Sequence, residues 1–136
     1  MGLFSLFGPT KKTILFVEDE MDIIRNYEMI FTNDKELSEN YIFEVATDRK
    51  EFLAKIDKAD LVVSDYHMGS FRFEEVWLNC AGKIPLTLIS GEITKRWNGP
   101  TIFKPASIKI IKKAILEMAN SKVVCPEYKS FNKKAS

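Results

Sequence analysis

Five side chains capable of chemistry each stand at the end of a short apolar run. Glu18 and Asp19 follow ILFV, Asp65 follows LVVS, Ser90 follows LTLI and Lys104 follows TIF. Carboxylates brought close together repel, and either protonation or a cation must relieve that repulsion. A hard divalent ion with oxygen ligands does so, and Mg²⁺ is the usual occupant of shallow, partly hydrated acid sites. A hydroxyl and an ammonium opposite such a cluster form a socket for a doubly charged oxyanion. The most economical oxyanion is a phosphoryl group carried on one of the acids.

Meeting in space requires elements that carry these residues to one place. Apolar runs at 13–18, 41–46, 60–64, 84–89 and 100–103 predict strands. Several are near-continuous rather than alternating, which fits strands covered on both faces of a parallel sheet. Between them lie helical stripes. Ile23, Ile24, Tyr27, Ile30 and Phe31 form the first. Phe52, Leu53 and Ile56 form the second, after Asp48 as N-cap with Glu51 three residues on. Phe73, Val76, Trp77 and Cys80 form the third, closed by Gly82 as the residue after the C-cap. Ser107 caps a fourth, which carries Ile108, Ile111, Ile115 and Met118.

This alternation predicts a doubly wound α/β domain. For five strands in the order 2-1-3-4-5, ligands sit beyond the carboxyl ends where the winding direction switches, between the first and third strands. Glu18, Asp19 and Asp65 leave those two strands, so the fold gathers them in one crevice. Ser90 and Lys104 leave the fourth and fifth strands on the same side. One connection is odd: only GEITKRWNG, residues 91–99, joins the fourth strand to the fifth. A parallel crossover with a helix needs about a dozen residues or more. A turn of helix at most, or an irregular loop, is expected there.

The rest of the chain sets bounds. Its 136 residues suit one domain. With 46% hydrophobic and 29% charged residues, the composition is that of an ordinary globular protein. Twenty basic against nineteen acidic side chains leave no basic excess for nucleic acid. Cys80 and Cys125 have neither metal-ligand nor disulfide-framework spacing, and Cys80 falls on a core stripe. A reducing, cytoplasmic setting is expected. Residues 1–12, MGLFSLFGPTKK, lack the basic region and cleavage site of a signal peptide, and no apolar stretch is long enough to span a membrane. They read as a leader packing on its own domain, with contact to a membrane surface or partner as the alternative. Residues 13–119 form the domain, and 120–136 a frayed or loosely docked tail.

These residues together resemble the response-regulator receiver domains of two-component signalling. The resemblance runs from about residue 12 to 119 and rests on ILFVEDE, LVVSDYHMG, LISGE and FKP, each at a predicted strand end. It implies the flavodoxin-like receiver fold, with the helix before the fifth strand shortened or absent. It implies that Asp65 is the phosphoacceptor, that Ser90 and Lys104 bind phosphoryl oxygens, and that the Lys104–Pro105 bond is cis. Mg²⁺ would be held by Asp19 and Asp65, by Glu18 directly or through water, and by the backbone carbonyl of His67. The donor would be a histidine kinase or phosphotransfer protein, the output a separate downstream protein. The chain would act as an acceptor with slow loss of its acyl phosphate rather than as a turnover enzyme.

Simpler roles compete at each position. Asp65 alone would read as a turn former and Asp19 as an N-cap of the first helix. His67, the sole histidine, reads as an exposed rim residue that at most tunes dephosphorylation, with base or second acceptor as the alternative. The sequence also departs from the family. Gly69 replaces the usual proline after Met68, predicting a looser loop. Thr101 stands where a switch aromatic is usual, with Trp97 and Phe103 as substitutes. The short 91–99 segment removes a helix from the face that normally carries output. A phosphorylation-independent interaction module on the same scaffold is therefore the second reading. A phosphatase of this fold would need an acid where His67 stands, and a flavin site a Ser/Thr/Gly-rich loop after the first strand.

Overall fold

The computed structural model describes residues 11–120 and 125–128; the leader expected at 1–12 thus lies almost wholly outside the described residues. In chain order the elements are β1 (Lys12–Val17), α1 (Met21–Asn33), α2 (Lys35–Asn40), β2 (Tyr41–Ala46), α3 (Arg49–Lys55), β3 (Leu61–Asp65), α4 (Phe73–Cys80), β4 (Leu86–Ser90), β5 (Thr101–Phe103) and α5 (Ile108–Asn120). A 3₁₀ turn, Ile56–Lys58, follows α3. All strand pairings are parallel, and the sheet order is β2-β1-β3-β4-β5. This is the doubly wound topology that the alternation of elements predicts.

Why the central strands read as unbroken apolar runs is visible in β1. Ile14 and Phe16 face one side, with Tyr27 and Phe31 of α1 and Ile111 and Ile115 of α5. Leu15 and Val17 face the other, with Phe52 of α3 and Val76 and Trp77 of α4. Every residue of β3 and of β4 is buried. A strand buried on both faces has no polar phase, so its period-2 signal vanishes.

The helix ends follow local chemistry. Asp48 caps α3, its carboxylate accepting from the Glu51 N–H at 2.8 Å, while Glu51 accepts from the Thr47 N–H at 2.7 Å. Gly82 takes φ +70 after the C-cap of α4, a left-handed conformation that glycine adopts without a Cβ penalty. The Ser107 hydroxyl accepts from the Ile110 N–H at the start of α5. The alternative role of Asp19 is not taken up: Asp19 does not cap α1. Its N-cap is Glu20, whose side chain makes no capping bond. The short α2 has no apolar stripe and was not expected. It forms because Asp34 caps it and Leu37 is buried.

No helix forms between β4 and β5. Trp97 fills part of the volume instead. Its indole is buried, packs edge-on against Trp77 with ring centroids 4.9 Å apart and against Phe73 at 5.3 Å, and donates from Nε1 to the Pro100 carbonyl at 3.0 Å. The ring folds back over Gly99, where a Cβ would lie 2.3 Å from a ring carbon, so only glycine fits. Residues 125–128 lie beside the same aromatics. Trp77 Nε1 donates to the Pro126 carbonyl at 2.8 Å, the Gly82 N–H donates to the Cys125 carbonyl at 3.0 Å, and the Tyr128 ring meets Trp77 edge-on at 5.1 Å. The coverage is incomplete: Phe103 remains 54% exposed and Ile93 81%.

Candidate functional site

The site residues leave the sheet at the carboxyl ends of β1, β3, β4 and the edge strand β5, and backbone bonds carry the ladder on to them. The Glu18 N–H donates to Ala46, the Tyr66 N–H to Ile89 and the Lys104 N–H to Ser90. The functional side chains are thereby anchored in the rigid core, with no flexible linker between strand and site. Asp65, the last residue of β3, is only 5% exposed. Lys104 reaches over to it, Nζ to Oδ1 at 2.8 Å. The Lys104–Pro105 bond is cis, as expected.

Glu18 is the most enclosed acid, with 0% exposure. Its Oε2 accepts from the Asp19 and Glu20 N–H groups at 3.1 and 3.2 Å, while Oε1 is buried with no hydrogen-bond partner. Burial above all, then the Asp65 charge, pushes its carboxyl up to about 7 against the opposing pull of the Glu20 N–H and Lys104. Burial also disfavours the charge on Lys104, but its hydrogen bond to Asp65 and the charges of Asp65, Glu18 and Glu20 outweigh this, so its pKa lies above the ordinary lysine range. Asp19 turns the other way and accepts from the Gly69 N–H at 2.6 Å. A proline at position 69, usual in the family the sequence resembles, would have no N–H to give. Gly69 thus ties its loop to Asp19.

Glu18, Asp65 and Lys104 are therefore brought together as expected, with Asp19 one residue away. Among the described residues no three acidic, histidine or cysteine side chains converge into a ready-made metal cage. Each acid is instead engaged by a protein donor: the backbone for Glu18, Gly69 for Asp19 and Lys104 for Asp65. The residues nevertheless fit a hard cation. Glu18 Oε1 is a carboxyl oxygen buried without a hydrogen-bond partner, and burial first, then the Asp65 charge, raises its pKa, so a cation beside it would offset a cost that the protein's own donors leave.

Ser90 is at its expected place but differently occupied. It is buried, and its hydroxyl donates to the Glu92 carbonyl at 2.8 Å and accepts from the Glu92 N–H at 3.1 Å. His67 lies exposed, its Nε2 3.4 Å from Glu92 Oε1 and its ring edge-on to Tyr66. Glu92 joins these two and was not singled out from sequence. Its signal was the position two residues beyond Ser90. Of the substitutes for a switch aromatic, Trp97 is locked in the core with Phe73 and Trp77, and Phe103 is half exposed on the edge strand. Thr101 donates to the Gly99 carbonyl.

No family model and no curated protein sequence matches the chain. Solved structures do. It is similar to the chemotaxis response regulator CheY4 of Vibrio cholerae, with TM-score 0.65 and 21% identity over 80% of this chain and 99% of that one. It is similar to the signal receiver domain of an HD domain-containing protein from Pseudomonas fluorescens Pf-5, with TM-score 0.69 and 16% identity over 81% and 95%. A CheY-like receiver domain protein from Methanospirillum hungatei JF-1 gives TM-score 0.65 and 21% identity over 79% and 93%. Identities this low speak for the fold alone.

Proposed function

From the premise that the chain has the flavodoxin-like receiver fold, we propose that it is a phosphoacceptor of two-component signalling. It takes a phosphoryl group on Asp65 from a histidine kinase or phosphotransfer protein in the cytoplasm and signals by docking a downstream protein. The observation that carries the reading is the buried Glu18 carboxylate, one oxygen without a partner, beside the Asp65 and Lys104 pair. A purely structural ion pair has no use for a second and third acid at its edge.

In this reading the Asp65 carboxylate attacks the phosphorus of the donor in line. One Asp65 oxygen forms the new bond as the donor atom leaves with the old one. Lys104, already on Oδ1, shifts to a phosphoryl oxygen as charge moves outward. Ser90 donates its hydroxyl proton to another, and water later hydrolyses the acyl phosphate. Glu18, Asp19, Asp65 and the His67 carbonyl would hold Mg²⁺, whose contribution when bound is to neutralise charge between the acids and the incoming phosphoryl group. Asp19 would exchange its bond to Gly69 for this role.

The test is a Mg²⁺ titration followed by tryptophan emission or calorimetry. Asp19→Asn should weaken Mg²⁺ binding by about tenfold or more, since a carboxylate ligand is lost. Unchanged affinity would remove the acids from metal binding. It would favour the second reading, a phosphorylation-independent interaction module, which draws on the uncovered Phe103 and Ile93.

A further inference from the structure

Resting on that acceptor reading, we infer that phosphorylation of Asp65 is read out at residues 125–128. The path runs through Ser90, the 91–99 loop and Trp97, and its result is release of this strap from α4. The first link is a competition for one proton. The Ser90 hydroxyl has a single O–H, and the Glu92 carbonyl holds it at 2.8 Å. A phosphoryl oxygen on Asp65 would draw the same proton, since Asp65 and Ile89 are in register on adjacent strands and Ser90 follows directly. Once Ser90 turns, Glu92 has lost both of its bonds to Ser90, and the start of the loop keeps the 3.4 Å contact of Glu92 with His67.

The second link is the far end of the same short loop. Only four residues, 93–96, separate Glu92 from Trp97, so a displacement at Glu92 reaches Trp97 along a short tether. That indole is the loop's anchor in the core, pinned by the Pro100 carbonyl and by the close fit over Gly99. Its edge-on neighbour is Trp77, at 4.9 Å.

The third link is Trp77 itself, which holds the strap. Its Nε1 donates to Pro126 and its ring meets Tyr128, while Gly82, just beyond the end of α4, binds the Cys125 carbonyl. Cys125 is buried beneath these contacts. A segment held by two backbone carbonyls, one ring and one thiol belongs to the least stable part of a domain, where small changes alter the open population most. The strap and Trp97 together stand in for the missing helix. Displacing one therefore loosens the other and uncovers an aromatic surface on α4.

The experiment uses the wild-type chain with and without acetyl phosphate and Mg²⁺. Intact mass reports the Asp65 adduct. A pulse of N-ethylmaleimide, followed by peptide masses, reports access to Cys125, and amide exchange reports Gly82 against the β1 amides. The expected result is an adduct together with about tenfold faster labelling of Cys125 and faster exchange at Gly82, with β1 unchanged. An adduct with unchanged labelling and exchange would overturn the relay and leave the acceptor reading standing. An adduct with acceleration extending to β1 would also overturn it, as general loosening. Absence of any adduct would remove the acceptor reading, and the relay with it.

Discussion

Replacing Glu18 with Gln should stabilise the Mg²⁺-free protein by about 3 kcal/mol at pH 8 and by almost nothing at pH 4.5. The buried carboxyl keeps its proton up to about 7, against an ordinary value of 4.5. Between those values the folded chain binds a proton that the unfolded chain has released. Stability therefore falls as pH rises through this window, and the loss is complete above the folded pKa. A shift of this size corresponds to about 3 kcal/mol. Glutamine carries no charge to bury, so the variant escapes the loss. Urea unfolding at pH 4.5 and pH 8 reads the difference directly. Mg²⁺ should restore stability to the wild type at pH 8 and do much less for Glu18→Gln. Equal wild-type and variant stabilities at both pH values would mean that Glu18 ionises freely.

Trp97→Ala should cost about 3–5 kcal/mol, the range for deleting a large buried aromatic. The indole packs on Phe73 and Trp77 and gives its N–H to the Pro100 carbonyl, so the deletion leaves a cavity and removes one of the two hydrogen bonds at that carbonyl, which keeps the Leu88 N–H. Gly99→Ala should act in the same direction by forcing the ring off its seat, because the new Cβ would overlap it. The urea midpoint of each variant measures this. A loss below about 1 kcal/mol for Trp97→Ala would show that the 91–99 loop does not close the core.

These two residues also mark where sequence reasoning succeeded and where it stopped. Glu18 was legible because an acid directly after a buried apolar run, matched by Asp65 at the end of the neighbouring strand of the sheet, has few structural uses. The strands were legible because runs such as ILFV and LVVS cannot be satisfied with one face in water. The absent helix before β5 followed from length alone. The burial of Trp97 was not legible for a physical reason: in a nine-residue segment without periodicity, nothing tells which face a lone aromatic will reach. Its role depends on the gap left by the missing helix and on the clearance over Gly99, both set by tertiary structure. The short α2 escaped because Leu37 is its one buried residue and its start depends on a single cap. Ser90 stands at its expected strand end, yet its partner Glu92 was passed over, since a hydroxyl at a strand end serves a ligand or its own turn equally well.

Gly69 reversed its expected meaning in a similar way. A glycine in place of proline suggests a looser loop when only conformational freedom is weighed. The N–H it restores, however, is the donor that holds Asp19.

The central claim is that Asp65 accepts a phosphoryl group. An intact-mass spectrum after incubation with acetyl phosphate and Mg²⁺ tests it most directly, with Asp65→Asn treated alongside. The account predicts one phosphoryl adduct on the wild type and none on the variant. An adduct of equal extent on Asp65→Asn, or none on either protein, would contradict it.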